Sequence, residues 1–226
     1  MRKKGMKIKY VIITAFIILA GSCDPAFTAA VQENPSVSGK DARQRLIDGN
    51  KRYSEAKATC PDSTAARRVE VAKGQYPFAA IVCCSDSRVP PELIFDQGLG
   101  DIFVIRLAGN VVDDDALGSL EYAVEHLGVK YIMVLGHARC GAVEAAVKGG
   151  NVPGHIRNLI AAIQPAVDRA RLKGGDVVEN AVLENVVMVV ERLRSSKPIL
   201  EDLVKKGELT IEGGRYGLDD GIVTII

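Results

Sequence analysis

The chain has 226 residues, 47% hydrophobic and 25% charged, with 22 glycines, five cysteines and no tryptophan. That length suits one α/β domain with a sizeable core. Its 29 basic residues nearly balance 28 acidic ones, and no basic patch interleaved with aromatics occurs, which argues against a nucleic-acid partner. The cysteines do not form a disulfide framework.

The chain opens with Arg2, Lys3, Lys4, Lys7 and Lys9, followed by an apolar run over 11–20 that is short for a bilayer span. This pattern reads as a secretory leader, so the expected location is exported, in the periplasm or on a membrane. Leu19-Ala20-Gly21-Ser22-Cys23 looks like a bacterial lipoprotein box that would make Cys23 the acylated residue and give a lipid anchor. Thr28-Ala29-Ala30 offers instead a small-residue cleavage site and a soluble product, and an uncleaved anchor is the third reading. Removal of the leader leaves 24 basic against 28 acidic residues, about −4. The expected division is a leader and tether start over 1–30, a polar tether over 31–40 and one domain over 41–226.

An amphipathic helix is expected over 41–57, entered from Ser38 or Asp41 and interrupted near Gly49-Asn50. Strand 78–83 feeds Cys84-Ser85-Asp86-Ser87-Arg88, and Pro90-Pro91 begins a helix toward Phe95. Strand 101–106 precedes Ala108-Gly109-Asn110, and Asp113-Asp114-Asp115 precede a helix over 116–127. Strand 131–136 runs into His137-Ala138-Arg139-Cys140 and a helix over 142–148. Helices over 158–172, 177–195 and 199–206 follow, and segments 209–213 and 221–225 read as a closing hairpin extending the sheet at its edge. Strands alternating with helices predict an α/β fold: a mostly parallel central sheet flanked by helices, with an N-terminal helical arm and a C-terminal strand extension.

In a parallel sheet the ends of strands 78–83 and 131–136 lie side by side, which brings Cys84 to His137 and Cys140. Two thiolates and an imidazole form a zinc set of three, and three protein ligands with an open fourth position is the catalytic arrangement. A closed structural site would need a fourth ligand from Cys60, Cys83, His155 or Asp86. Cys83 points to the opposite face of its strand from Cys84 and reads as a small buried hydrophobe. Cys60 is the thiol most at risk in an oxidising compartment. Asp86 and Arg88, two residues apart, can project together beside the open position.

The two loops, in this order, resemble those of the β-class carbonic anhydrases, and the resemblance runs from about residue 41 to the C-terminus. It implies Zn2+ held by Cys84, His137 and Cys140, and reversible hydration of carbon dioxide to bicarbonate and a proton by a zinc-bound hydroxide. Asp86 would accept the hydroxide's hydrogen bond. Arg88 would keep Asp86 ionised and off the metal, so that Asp86 becomes a fourth ligand only in a closed form. Gln75 matches a plant-like glutamine that bonds bicarbonate, and Phe103 and Tyr122 match pocket residues supplied by the adjoining subunit. Ile81 stands where another branch has a tryptophan in an inhibitory site, which implies an open, non-allosteric site. Tyr122 and His126, four apart on one helix face, would pass protons outward. The stretch 46–53 resembles an arm that packs on a partner, so a homodimer or tetramer is implied.

Plainer readings stand beside these: Gln75 as a surface residue, Phe103 as core, Tyr122 and His126 as a helix-packing pair, and His155 as a solvated or dimer-contact histidine. The same scaffold also resembles carbon disulfide or carbonyl sulfide hydrolases, and a non-catalytic zinc-binding or redox module is the reading from another class. Two thiolates cancel the charge of the dication, so its water should be less acidic than in a three-histidine site, and activity should climb above neutral pH.

Overall fold

The computed structural model describes residues 37–150 and 152–226; the expected leader, Cys23 and the tether up to residue 36 lie outside them. Helix α1 (Gly39–Ser54) begins inside the stretch expected to be tether, because the Ser38 side chain accepts the Asp41 N–H and caps it. It runs unbroken through Gly49 and Asn50, contrary to the expected interruption. A Cβ at Gly49 would lie 1.8 Å from the Phe95 carbonyl oxygen, so the glycine permits close approach rather than breaking the helix. Asn50 is buried and donates to the carbonyls of Ile94 and Gly221 while accepting from the Val223 N–H. A short helix, α2 (Ala65–Val71), was not anticipated.

The core follows as β1 (Ala79–Cys83), α3 (Pro91–Ile94), β2 (Ile102–Arg106), a 3-10 turn over Ala108–Asn110, α4 (Asp114–Glu125), β3 (Tyr131–His137), α5 (Gly141–Lys148), α6 (Ile156–Ala170), α7 (Val177–Arg194), α8 (Ile199–Lys205), β4 (Thr210–Tyr216) and β5 (Val223–Ile225). The strand order is β2-β1-β3-β4-β5, with the first four parallel and β5 antiparallel to β4. The closing pair extends the sheet beyond β3 as expected, and β4 pairs along all seven residues with β3, from Tyr131–Thr210 to His137–Tyr216.

Alternation along the strands divides the core between the two faces of the sheet. Ala80, Val82, Ile132, Val134 and Ile211 pack under α4, α7 and α8 with Leu120, Val186 and Leu193. Ala79, Ile81, Cys83, Met133 and Leu135 pack on the other face against Leu46 of α1 and Phe95. A third cluster forms at the carboxyl ends of β1 and β3, where Cys84 and Cys140 meet Val143, Ile163, Val167 and Val182 of α5 to α7. Loops at the carboxyl ends of parallel strands are where open α/β sheets place their sites.

Candidate metal centre

β1 and β3 pair in register up to Cys83 and Leu135, so the residues after them leave the sheet side by side. Cys84 follows β1 directly, His137 closes β3, and Cys140 caps the N-terminus of α5. The three donor atoms lie within 4.8 Å of one another, and all three residues are buried. The sulfurs stand 4.0 Å apart, against about 3.8 Å for two thiolates at 2.3 Å from a tetrahedral zinc. His137 is fully buried, and its Nε2 has no hydrogen-bond partner. Its Nδ1 lies 3.0 Å from the Ala138 carbonyl oxygen; an N–H donated there leaves the Nε2 lone pair free as a ligand. A buried imidazole nitrogen without a partner, beside two sulfurs at ligand spacing, fits zinc.

The electrostatics of the pocket favour a thiolate. Cys84 is driven well below the ordinary thiol value, first by the hydrogen bond from the Cys140 thiol and also by the backbone N–H groups of Gly109 and Asp86, against the opposing effect of burial. Cys140, as the donor to Cys84, is driven up by that bond and by burial, while the N–H groups of Val143 and Ala142 at the start of α5 pull the other way. Cys83 faces the opposite side of the sheet, which removes it as a ligand, and burial pushes its thiol up to about 12.

Asp86 lies 3.8 Å from His137 Nε2 through its Oδ2 and is turned toward Arg88. Its Oδ1 accepts from Arg88 Nε at 2.9 Å and from the Arg88 backbone N–H at 2.9 Å, and its Oδ2 accepts from Arg88 Nη2 at 2.7 Å. The Arg88 hydrogen bond holds the carboxyl at about 2 against partial burial. Two arginines that sequence reasoning passed over brace the loops. Arg106 donates to the carbonyls of Cys84 at 3.1 Å and Asp86 at 2.6 Å. Arg139 grips Asp219 with two contacts at 2.8 Å. The signal for Arg106 was its place at the end of the neighbouring strand, level with Cys83.

The remaining expected site residues lie elsewhere on the chain. Gln75 is exposed, ahead of β1, whereas Cys84 leaves that strand's other end; five strand residues span roughly 17 Å. Gln75 therefore does not line the site of its own chain. Phe103 pairs with Ala80 near the start of β2 and packs half-buried on the first core cluster. Tyr122 is 47% exposed on α4, its ring 5.1 Å from that of His126. His155 is exposed at the start of α6, and Cys60 is exposed. Among the described residues, only Cys84, His137 and Cys140 group as metal donors.

Comparison with known proteins places this geometry. Residues 79–223 match the family model described as carbonic anhydrase. The chain is 40% identical over 191 residues to carbonic anhydrase 2 of Mycobacterium tuberculosis, covering 83% of this chain and 92% of that protein. It is 37% identical over 195 residues to a carbonic anhydrase of Mycolicibacterium smegmatis, covering 84% and 95%. Among solved structures, the β-carbonic anhydrase CcaA aligns with a TM-score of 0.64 at 29% identity, over 81% of this chain and 94% of that one. A Coccomyxa β-carbonic anhydrase in complex with acetazolamide aligns with a TM-score of 0.64 at 29% identity, over 80% and 84%.

Proposed function

The chain belongs to the β-class carbonic anhydrases, zinc enzymes that reversibly hydrate carbon dioxide to bicarbonate and a proton, and from that premise we propose that Asp86 and Arg88 are the catalytic pair beside a metal held by Cys84, His137 and Cys140. The observation that carries the reading is the buried, unpartnered His137 Nε2 facing two sulfurs 4.0 Å apart. Zinc at such a site supplies a nucleophile near neutral pH by acidifying a water.

The chain's own groups do the rest. An ionised Asp86 is an acceptor only, so an O–H beside it is held with the hydrogen toward the carboxylate and a lone pair free for carbon dioxide. Arg88 spans both carboxylate oxygens, which keeps Asp86 ionised and tied to the guanidinium. His137, tied through Nδ1 to the Ala138 carbonyl, keeps one ring orientation and one tautomer. The apolar wall of Val111, Val143 and Ile163 around the cysteines limits water access on that side.

Gln75, Phe103 and Tyr122 act in the site of a second copy, with Gln75 bonding bicarbonate and Tyr122 with His126 carrying protons. The homo-oligomer is a dimer at least, and its site is of the plant-like kind. The half-exposed edge strand β2 supports such pairing. One domain follows a leader and tether start over 1–30 and a tether that gives way at Ser38, the cap of α1, and the basic, then apolar start of the chain supports export, with Cys23 as the acylated residue. A mass measurement of the mature N-terminus tests that, and an intact Met1 would overturn it.

The test of function is metal analysis with stopped-flow carbon dioxide hydration on the wild type and Asp86→Ala. We expect one zinc per chain and a wild-type rate far above that of the variant. A metal-free protein, or equal rates, would overturn the assignment.

A further inference from the structure

The sulfur of Cys84 is also held from a direction that neither metal loop supplies. Helix α7 packs an apolar face on the sheet, yet Asn185 in that face is fully buried. A buried amide is costly unless it is bonded. Its Nδ2 donates to the Gly109 carbonyl oxygen at 2.7 Å, and the Gly109 N–H donates to Cys84 Sγ at 3.2 Å. A continuous line of two hydrogen bonds thus runs from the middle of α7 to a metal-site sulfur.

The turn between them is closely constrained. Gly109 sits at φ 72 and ψ 23, and Asn110 follows at φ 43. A Cβ at residue 109 would lie 2.6 Å from Ile163 Cδ1 and 3.2 Å from Ala142 Cβ, so α5 and α6 press on the turn while Asn185 pulls on its carbonyl. A left-handed non-glycine residue such as Asn110 persists only where its surroundings over-determine it. Here the outcome is an N–H aimed at sulfur.

We propose that Asn185 is a positioning residue for the metal: by holding the Gly109 carbonyl it aims the Gly109 N–H at Cys84, and so sets the direction and electron richness of that sulfur. The inference rests on the zinc reading of the same site and adds a residue of α7 to it. Groups that orient metal ligands from outside the donor set act on affinity as well as on rate.

The experiment compares Asn185→Asp, which keeps the volume but loses the amide donor, and Asn185→Ala with a neighbouring core control, Val186→Ala. Two readouts are taken on folded protein: zinc affinity by chelator competition, and the sulfur-to-metal absorption band of the cobalt(II) form. The Asn185 variants should bind zinc about 10- to 100-fold more weakly, with the cobalt band at lower energy because the sulfur has lost a donor. Val186→Ala should lower the melting temperature and leave both readouts at wild-type values. Should neither Asn185 variant fold, Asn185→Ser takes their place with the same expectations. A folded Asn185 variant with wild-type affinity and an unmoved band overturns the inference, whereas a wild-type chain that takes up no zinc removes the metal assignment itself.

Discussion

Asp86 is 16% exposed beside His137, and the fork of Arg88 decides what its carboxyl can do. Held at about 2 by that contact, it is ionised across the whole range in which the enzyme would be assayed, so it contributes no acid limb between pH 5 and 9. The rise in rate over that range should instead follow the metal site, where two thiolates offset the charge of the dication. A rate flat from pH 6 to 9 would contradict this. Asp86→Asn keeps the shape and offers an N–H where an acceptor is needed, and it should cost about a hundredfold or more in kcat/KM. Arg88→Lys should cost less, about tenfold, because a point charge replaces a planar fork. Steady-state hydration kinetics check both. The metal donors and this pair were legible in the sequence because each follows or closes an apolar run that could only be a buried strand. The role of Gly109 was not, because its N–H meets Cys84 only through a left-handed turn that the letters Ala-Gly-Asn do not specify.

At the scale of elements, α1 shows how a local pattern misleads. Gly49-Asn50 reads as a break, yet both residues serve contacts made by other parts of the chain. Propensity alone would make Gly49→Ala a gain of about 1 kcal/mol. The 1.8 Å approach to the Phe95 carbonyl oxygen is a backbone contact, so the helix must shift, and a net loss of roughly 2–3 kcal/mol is expected, read from the denaturation midpoint. Helix α2 leaves no signal in the sequence because it buries none of its seven residues and shows no apolar stripe. Two glycines in succession, Gly213-Gly214, have the look of a strand end, yet β4 continues to Tyr216.

A second long-range tie at this scale is Asp96, whose side chain is 1% exposed. Burial would raise its pKa, but Arg52 at 2.6 Å, with the Thr59 and Cys60 N–H groups and the Thr59 hydroxyl, brings it to about 2. A carboxyl depressed in the folded state stabilises fully above its unfolded pKa and loses that contribution as pH falls through the folded value. Asp96 should therefore contribute on the order of 2 kcal/mol at neutral pH and lose it between about pH 4 and 2. Denaturation of Asp96→Asn should show a lower midpoint at pH 7 and a smaller further drop on acidification than the wild type. Parallel curves offset by a constant amount would refute it.

For the whole molecule, alternating strands and helices made the parallel sheet readable, while the strand order and the insertion of β4 beside β3 depend on long-range pairing that local pattern does not carry. The proposed second copy is a further step removed, because no chain encodes its partner's position in its own periodicity. Yet one chain alone leaves Gln75 at the wrong end of β1, and this makes shared sites testable by complementation. Cys84→Ser should abolish metal-dependent activity, and Gln75→Ala should lower kcat/KM about tenfold through a lost substrate hydrogen bond. In a mixed dimer from co-expression, one site would join the intact metal set of the Gln75→Ala chain to the intact Gln75 of its partner, while the other site would be doubly impaired. With half the dimers mixed and one restored site in each, activity should recover to about a quarter of wild type under two-fold symmetry. A preparation whose rate equals the mean of its two parents would show that each chain completes its site alone, with Gln75 acting in its own chain.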